Sequence, residues 1–213
     1  MREARRIRNS PEFLSGEGIM MLSLSKNTAL VLIDLQKAID DPSWGVRNNP
    51  QAESNVSRLL SHWRLHDMPI IHIRHVSRFP ESTYRDGQAG VEFKEISRPL
   101  PGEVVITKHV CTAFIGTDLE ARLRGNGCKD VVIVGVVTNN SVEATARVSG
   151  DLGFRTIVVS DATFTFGRKD FGGRMHSAEE VHAMSLANLD GEYANIYLTD
   201  QVLEMAGSKP LNN

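Results

Sequence analysis

The chain has 213 residues, 41% of them hydrophobic and 23% charged, with a formal net charge of -2. That length builds one domain with a sizeable core, and the near-neutral balance excludes a general electrostatic pull toward nucleic acid or anionic membranes. Two cysteines make no disulfide framework, no apolar run approaches the roughly 20 residues that span a bilayer, and the basic N-terminus lacks an apolar stretch behind it, so a cytoplasmic protein is expected.

Residues 1–26 are charged and dotted with Ser and Gly without a period, and read as an N-terminal arm. Residues 27–207 read as the folded domain and 208–213 as a tail. The segment 28–34 is nearly continuous aliphatic sequence closed by Asp34, the pattern of a strand buried on both faces. Apolar spacing over 51–66 is helical. A second strand covers 69–75, and a long polar loop runs from 76 to 100. A third, short strand over 103–108 ends in Lys108, and 117–126 form a helix.

The segment 130–134 is a fourth strand, closed by Gly135 and a short polar turn, and a helix follows over 140–152 with Ser141 in its first turn. Backbone N–H groups point outward at such a strand–helix junction, so it suits a nucleophile or an anion. Strand 155–160, a Gly-, Asp- and Phe-rich loop 161–177, helix 178–189, strand 193–198 and helix 200–205 complete the chain. Strands alternating with helices argue for an α/β fold: a Rossmann-like three-layer sandwich, mainly parallel, with strand order 3-2-1-4-5-6 and helices on both faces. Sites in such sheets gather at the carboxyl ends of the strands near the order switch. Strands one and four would seat Asp34 beside Ser141 there, with Lys108 reaching in across about 10 Å of sheet.

An aspartate, a lysine and a thiol in one place make an acyl-transfer device. The cation and the helix N-terminus favour a thiolate, and the carboxylate shuttles protons. Residues 28–36, 107–108 and 135–147 resemble the isochorismatase-like cysteine hydrolase family, relatives of nicotinamidase, N-carbamoylsarcosine amidase and ureidoacrylate amidohydrolase. The likeness extends over about residues 27–200, including 158–163 and 180–189. It implies an amidohydrolase acting on a small linear amide or ureido C–N bond, with Asp34 as acid/base, Lys108 as the stabilising cation and residue 141 as nucleophile. It also implies N–H groups of Asn140 and residue 141 as oxyanion hole, a cis peptide between Val137 and Thr138, and a homo-oligomer, dimer or tetramer.

This chain carries Ser141 where that family carries cysteine. Three readings follow: a substitution that traps substrate in an inactivated form, a variant acting on a vinyl ether with Asp34 as general acid, or a non-catalytic small-molecule-binding member. Gln36, Trp44, Arg74, His75, Phe114 and Asn139 lie near strand ends or in loops on the expected site side and are the substrate-contact candidates. Cys111, three residues beyond Lys108, either lines the pocket or, as the leading expectation, is a small buried apolar group; loops 76–100 and 161–177 are candidate lids, or segments that pack on a partner subunit. His72 and His75 point to opposite strand faces, so no metal site, and no other cofactor, is expected. The partner expected is a small molecule, not nucleic acid or membrane.

Overall fold

A computed structural model of the protein describes residues 23–207; residues 1–22 of the expected arm and the expected tail lie outside the described residues. The last residues assigned to the arm join the domain instead. Leu24 is buried, and its N–H donates to Met205 O at 3.0 Å.

The sheet assembles from β1 (Ala29–Ile33), β2 (Ile70–His75), β3 (Val104–Lys108), β4 (Asp130–Val136), β5 (Arg155–Phe164) and a last strand, β8 (Asn195–Tyr197). Its order is β3-β2-β1-β4-β5-β8 and every pairing is parallel, as the alternation of strands and helices predicts. Two residue pairs form a separate antiparallel hairpin, β6 (Arg168–Lys169) with β7 (Met175–His176), inside what reads as loop 161–177.

Period-two alternation divides the core in two. On β1 and β4, Leu30, Leu32, Val132, Val134 and Val136 face one cluster, shared with α1 (Ala52–Leu65) and α5 (Thr199–Gly207). Ala29, Val31, Ile33, Val131 and Ile133 face the other, with α2 (Leu119–Gly125), α3 (Glu143–Asp151) and α4 (Ala178–Leu189). Both faces of the central strands are therefore covered, which is why their sequences are unbroken aliphatic runs.

β5 runs four residues beyond its expected end at Ser160. Its register against β4 shifts between the pairs Ile133–Val158 and Gly135–Thr163, so the strand bulges through the polar Ser160-Asp161 step. Asp161 is satisfied there: its Oδ1 accepts from Thr199 N and Oγ1, both at 2.8 Å, at the start of α5, and its carbonyl accepts from Asn55 Nδ2. At the other side of the sheet, Glu103 joins β2, β3 and α1. It accepts from Arg64 Nε at 2.7 Å, Leu100 N at 2.8 Å and His72 Nε2 at 2.8 Å.

Candidate active site

The strand order reverses at β1 and β4, and the site lies at their carboxyl ends. Asp34 follows β1 directly with φ 52°, in the left-handed region that non-glycine residues enter at a cost and that clusters at functional positions. Its N–H donates to Ile73 O, and its carbonyl accepts from Gln36 N and from the Tyr84 hydroxyl, which fixes the turn. On β4, Gly135 has φ 112°. A side chain there would place Cβ 2.2 Å from Ile33 O, so only glycine lets the two main chains close up beside Asp34.

The expected helix over 140–152 opens with a wide π-helical turn, Thr138–Val142, before α3 begins. Such turns often occur at functional sites. The turn presents Ser141 to the cleft. The expected cis peptide is one residue out of place: the cis bond joins Val136 and Val137, not Val137 and Thr138. Strand pairing ends at Val136, opposite Phe164, so the chain leaves the sheet there, and Thr138 already belongs to the turn.

Asp34, Lys108 and Ser141 meet. The Lys108 ammonium lies 2.7 Å from Asp34 Oδ2 and donates to Ser141 Oγ at 3.1 Å and Val110 O at 3.2 Å, so its three protons have three acceptors. The Lys108 side chain is fully buried and that of Asp34 is 5% exposed. Burial pushes the Asp34 carboxyl above its usual pKa, against the opposing pull of Lys108 and the Ser141 hydroxyl. Its Oδ1 is buried and without a hydrogen-bond partner among the described residues. A carboxyl raised above its ordinary pKa and beside a hydroxyl is suited to proton transfer.

A cleft of about 300 Å³ opens onto this group, walled by Ile39, Trp44, His75, Phe79, Tyr84 and Cys111 among others. Of the substrate-contact candidates, Trp44 and His75 line it. The other four do not. Gln36 is fully buried and clamps the end of β2, donating to His75 O and Val91 O and accepting from His75 N. Arg74 turns to Thr107 Oγ1 on the neighbouring strand, and Phe114 stacks on Phe154. Asn139 accepts from Thr165 Oγ1 and faces a separate groove against α4 and the hairpin, which contains none of the three central residues. Asn140 N–H donates to Val137 O at 3.1 Å, so it can reach an oxyanion only as a shared donor.

His75 is held neutral: burial, then Lys108 and His109, lower its pKa to about 4. Loop 76–100 supplies Ser77, Phe79, Ser82 and Tyr84 to the wall, which its polar, proline-spaced sequence did not single out. In the other expected lid, Phe164 and Phe166 are core residues, Phe171 is exposed, and His176 pairs with Asp170. For Cys111 the structure meets the pocket-lining alternative rather than the buried apolar one: it is half-buried in the cleft, and its thiol donates to Asn140 Oδ1 at 2.6 Å. Among the described residues no group of three or more His, Cys, Asp or Glu side chains is placed to hold a metal ion, and no helix is long and apolar enough to cross a membrane.

The chain is a doubly wound α/β protein with a buried Asp–Lys pair beside a side chain at a strand–helix junction, and its family and relatives indicate an enzyme of the hydrolase class. The Isochorismatase domain profile matches residues 28–201. An uncharacterised isochorismatase family protein of Bacillus subtilis, YrdC, is 43% identical over 180 residues, 84% of this chain and 96% of that one. Nicotinamidase 3 of Arabidopsis thaliana is 30% identical over 189 residues, 83% of this chain and 86% of the enzyme. A crystal structure of an isochorismatase-family protein from Chromobacterium violaceum superposes with a TM-score of 0.85 at 52% identity, covering 88% of this chain and 98% of that one. The chain belongs to the isochorismatase family.

Proposed function

We propose that this protein hydrolyses the C–N bond of a small linear amide or ureido compound in the cleft at the carboxyl ends of β1 and β4. The observation that carries this reading is the buried Lys108 ammonium joining Asp34 to the side chain of residue 141. Asp34 removes a proton from the nucleophile and returns it to the leaving nitrogen, the role its raised pKa suits. Lys108 stabilises negative charge on the nucleophile and on the developing oxyanion, in a site dry enough for that charge to count. Similarity to a nicotinamidase over most of both chains supports amide chemistry.

Residue 141 is a serine, and a hydroxyl is harder to ionise than a thiol, so acyl transfer through its oxygen is slow. The test is ammonia release from a panel of small primary amides and N-carbamoyl compounds, measured for the present chain and for Ser141→Cys, each with and without Asp34→Asn. Ser141→Cys should release ammonia from at least one compound, and Asp34→Asn should lower that rate by about 10²–10⁴-fold. A panel on which both the present chain and the Ser141→Cys form are inert sinks the amidohydrolase reading.

A second reading rests on the raised Asp34 carboxyl alone: general-acid cleavage of a vinyl ether, which needs no nucleophile. It predicts turnover that survives Ser141→Ala and is lost in Asp34→Asn.

A further inference from the structure

Serine at position 141 does not empty this cleft of thiols. Cys111 lies three residues beyond Lys108 and lines the same cavity as Asp34 and Ser141. Its segment is tied at both sides: Lys108 Nζ donates to Val110 O, and Ala113 N–H donates to Thr145 Oγ1 on α3. The thiol itself donates to Asn140 Oδ1, on the residue that precedes Ser141. Asp34 lines the same cavity, its side chain is only 5% exposed, and its Oδ1 is buried without a hydrogen-bond partner among the described residues. A buried acceptor of this kind, beside a small cavity, awaits a proton from something that enters or reacts there.

We propose that Cys111 is the nucleophile of this enzyme, with the Ser141 hydroxyl passing its proton to Asp34. This rests on the hydrolytic reading above and changes which atom carries the acyl group. The thiol proton moves to Ser141 Oγ as the serine's own proton moves to the Asp34 carboxylate. Cys111 Sγ bonds to the substrate carbonyl carbon, and the carbonyl electron pair goes to oxygen, facing the Lys108 charge. Collapse breaks the C–N bond, and the proton on Asp34 leaves with the nitrogen. Water then attacks the thioester, gives one proton back through Asp34, and the Sγ–C bond breaks to restore the thiol. The sum is amide plus water giving acid plus ammonia or amine.

The electrostatics fit a thiol that needs a base. Burial raises the Cys111 pKa, Lys108 and the Ser141 hydroxyl oppose that, and the nearby Asp34 charge adds to it. The thiol therefore stays protonated until Asp34 accepts its proton, which is general-base rather than resting-thiolate activation.

p-Nitrophenyl acetate is the probe. The intact, full-length chain is treated briefly, quenched in acid and mapped by peptide mass spectrometry, alongside Cys111→Ser, Cys111→Ala, Ser141→Ala and Ser141→Cys. The expected result is acetyl on the Cys111 peptide of the present chain, labile to neutral hydroxylamine as a thioester is. Cys111→Ser should lower the acylation rate by about 10³-fold or more. Ser141→Ala should still acylate at Cys111, more slowly by about 10²–10⁴-fold as the proton path is lost. Mapping the unmodified chain needs no variant to fold. Acetyl on the Ser141 peptide overturns the Cys111 assignment and leaves the hydrolytic reading intact, as does acylation confined to Ser141→Cys at residue 141. No acyl adduct in any form overturns both.

Discussion

Lys108→Met tests the buried pair on which the site depends. The methionine replaces a long side chain of similar reach but removes the charge, leaving the Asp34 carboxylate in a pocket where its side chain is 5% exposed. Removing one partner of a buried ion pair costs about 3–5 kcal/mol, because the remaining charge is stranded. For a domain of this size each kcal/mol moves Tm by about 2–4 °C, so the loss should be roughly 6–20 °C at neutral pH. The pH dependence gives a second, sharper readout. Asp34 already titrates above its ordinary value in the folded chain, and without Lys108 it titrates higher still. A carboxyl whose folded pKa exceeds its unfolded one binds more protons when folded, so stability falls as pH rises and returns as pH drops through the folded pKa. Lys108→Met should regain part of its Tm on acidification, relative to the parent. The double variant Asp34→Asn/Lys108→Met, with no charge left to strand, should recover most of the loss at neutral pH. Differential scanning fluorimetry across pH measures all of this. A Lys108→Met chain that melts within about 2 °C of the parent, with the same pH slope, refutes the claim that the pair is desolvated and mutually dependent.

Two further outcomes concern the scaffold. Gly135→Ala forces a methyl to within 2.2 Å of Ile33 O and a side chain into a positive-φ position, so crowding of about 1–3 kcal/mol and strain of about 1–2 kcal/mol combine; an urea-denaturation midpoint close to the parent's contradicts the close approach of β1 and β4. Glu103 is partly buried, which raises its carboxyl, but Arg64, the Leu100 N–H and His72 outweigh that and hold it at about 2. A depressed carboxyl stabilises the fold above its unfolded pKa of 4.5 and loses that contribution as pH falls toward 2. Glu103→Gln should therefore be less stable at neutral pH and show a flatter acid limb by circular dichroism; an unchanged acid limb would place the acid sensitivity elsewhere.

The strands were legible because burial on both faces leaves no choice of residue. Residues 28–34 and 130–134 are aliphatic throughout, and the two core clusters show both faces in use. Asp34 and Lys108 stood out for the same reason, as charges ending runs where charge is costly. The end of β5 was hidden because Ser160 and Asp161 imitate a turn, and only the distant start of α5 and Asn55 satisfy them. The cleft walls were hidden more thoroughly. Gln36 and Trp44 look alike as loop residues near a strand end, yet one is consumed by the β2 backbone and the other lines the cleft. Tyr84 is placed by long-range contacts: its hydroxyl donates to Asp34 O, fifty residues away in sequence, and its ring packs on Trp44 and His75. Cys111 reads as an ordinary small apolar residue until the fold brings it beside Asn140. Local pattern carries the period of an element, but not which long-range partner a loop side chain will find.

The proposed proton path and the cleft walls have separate origins here. Asp34 and Lys108 sit at strand ends and Ser141 on the turn after β4, held by main-chain packing, whereas Trp44, Ser77, Phe79, Ser82 and Tyr84 come from connecting segments. Mutations in those segments can redraw the shape of the binding space while the proton path stays where the sheet puts it. The protein is thus suited to laboratory evolution by loop randomisation: libraries confined to 42–44 and 77–83 would vary the cleft wall while leaving the Tyr84 hydroxyl on Asp34 O in place. A chain built this way can diverge in what it consumes long before it diverges in how.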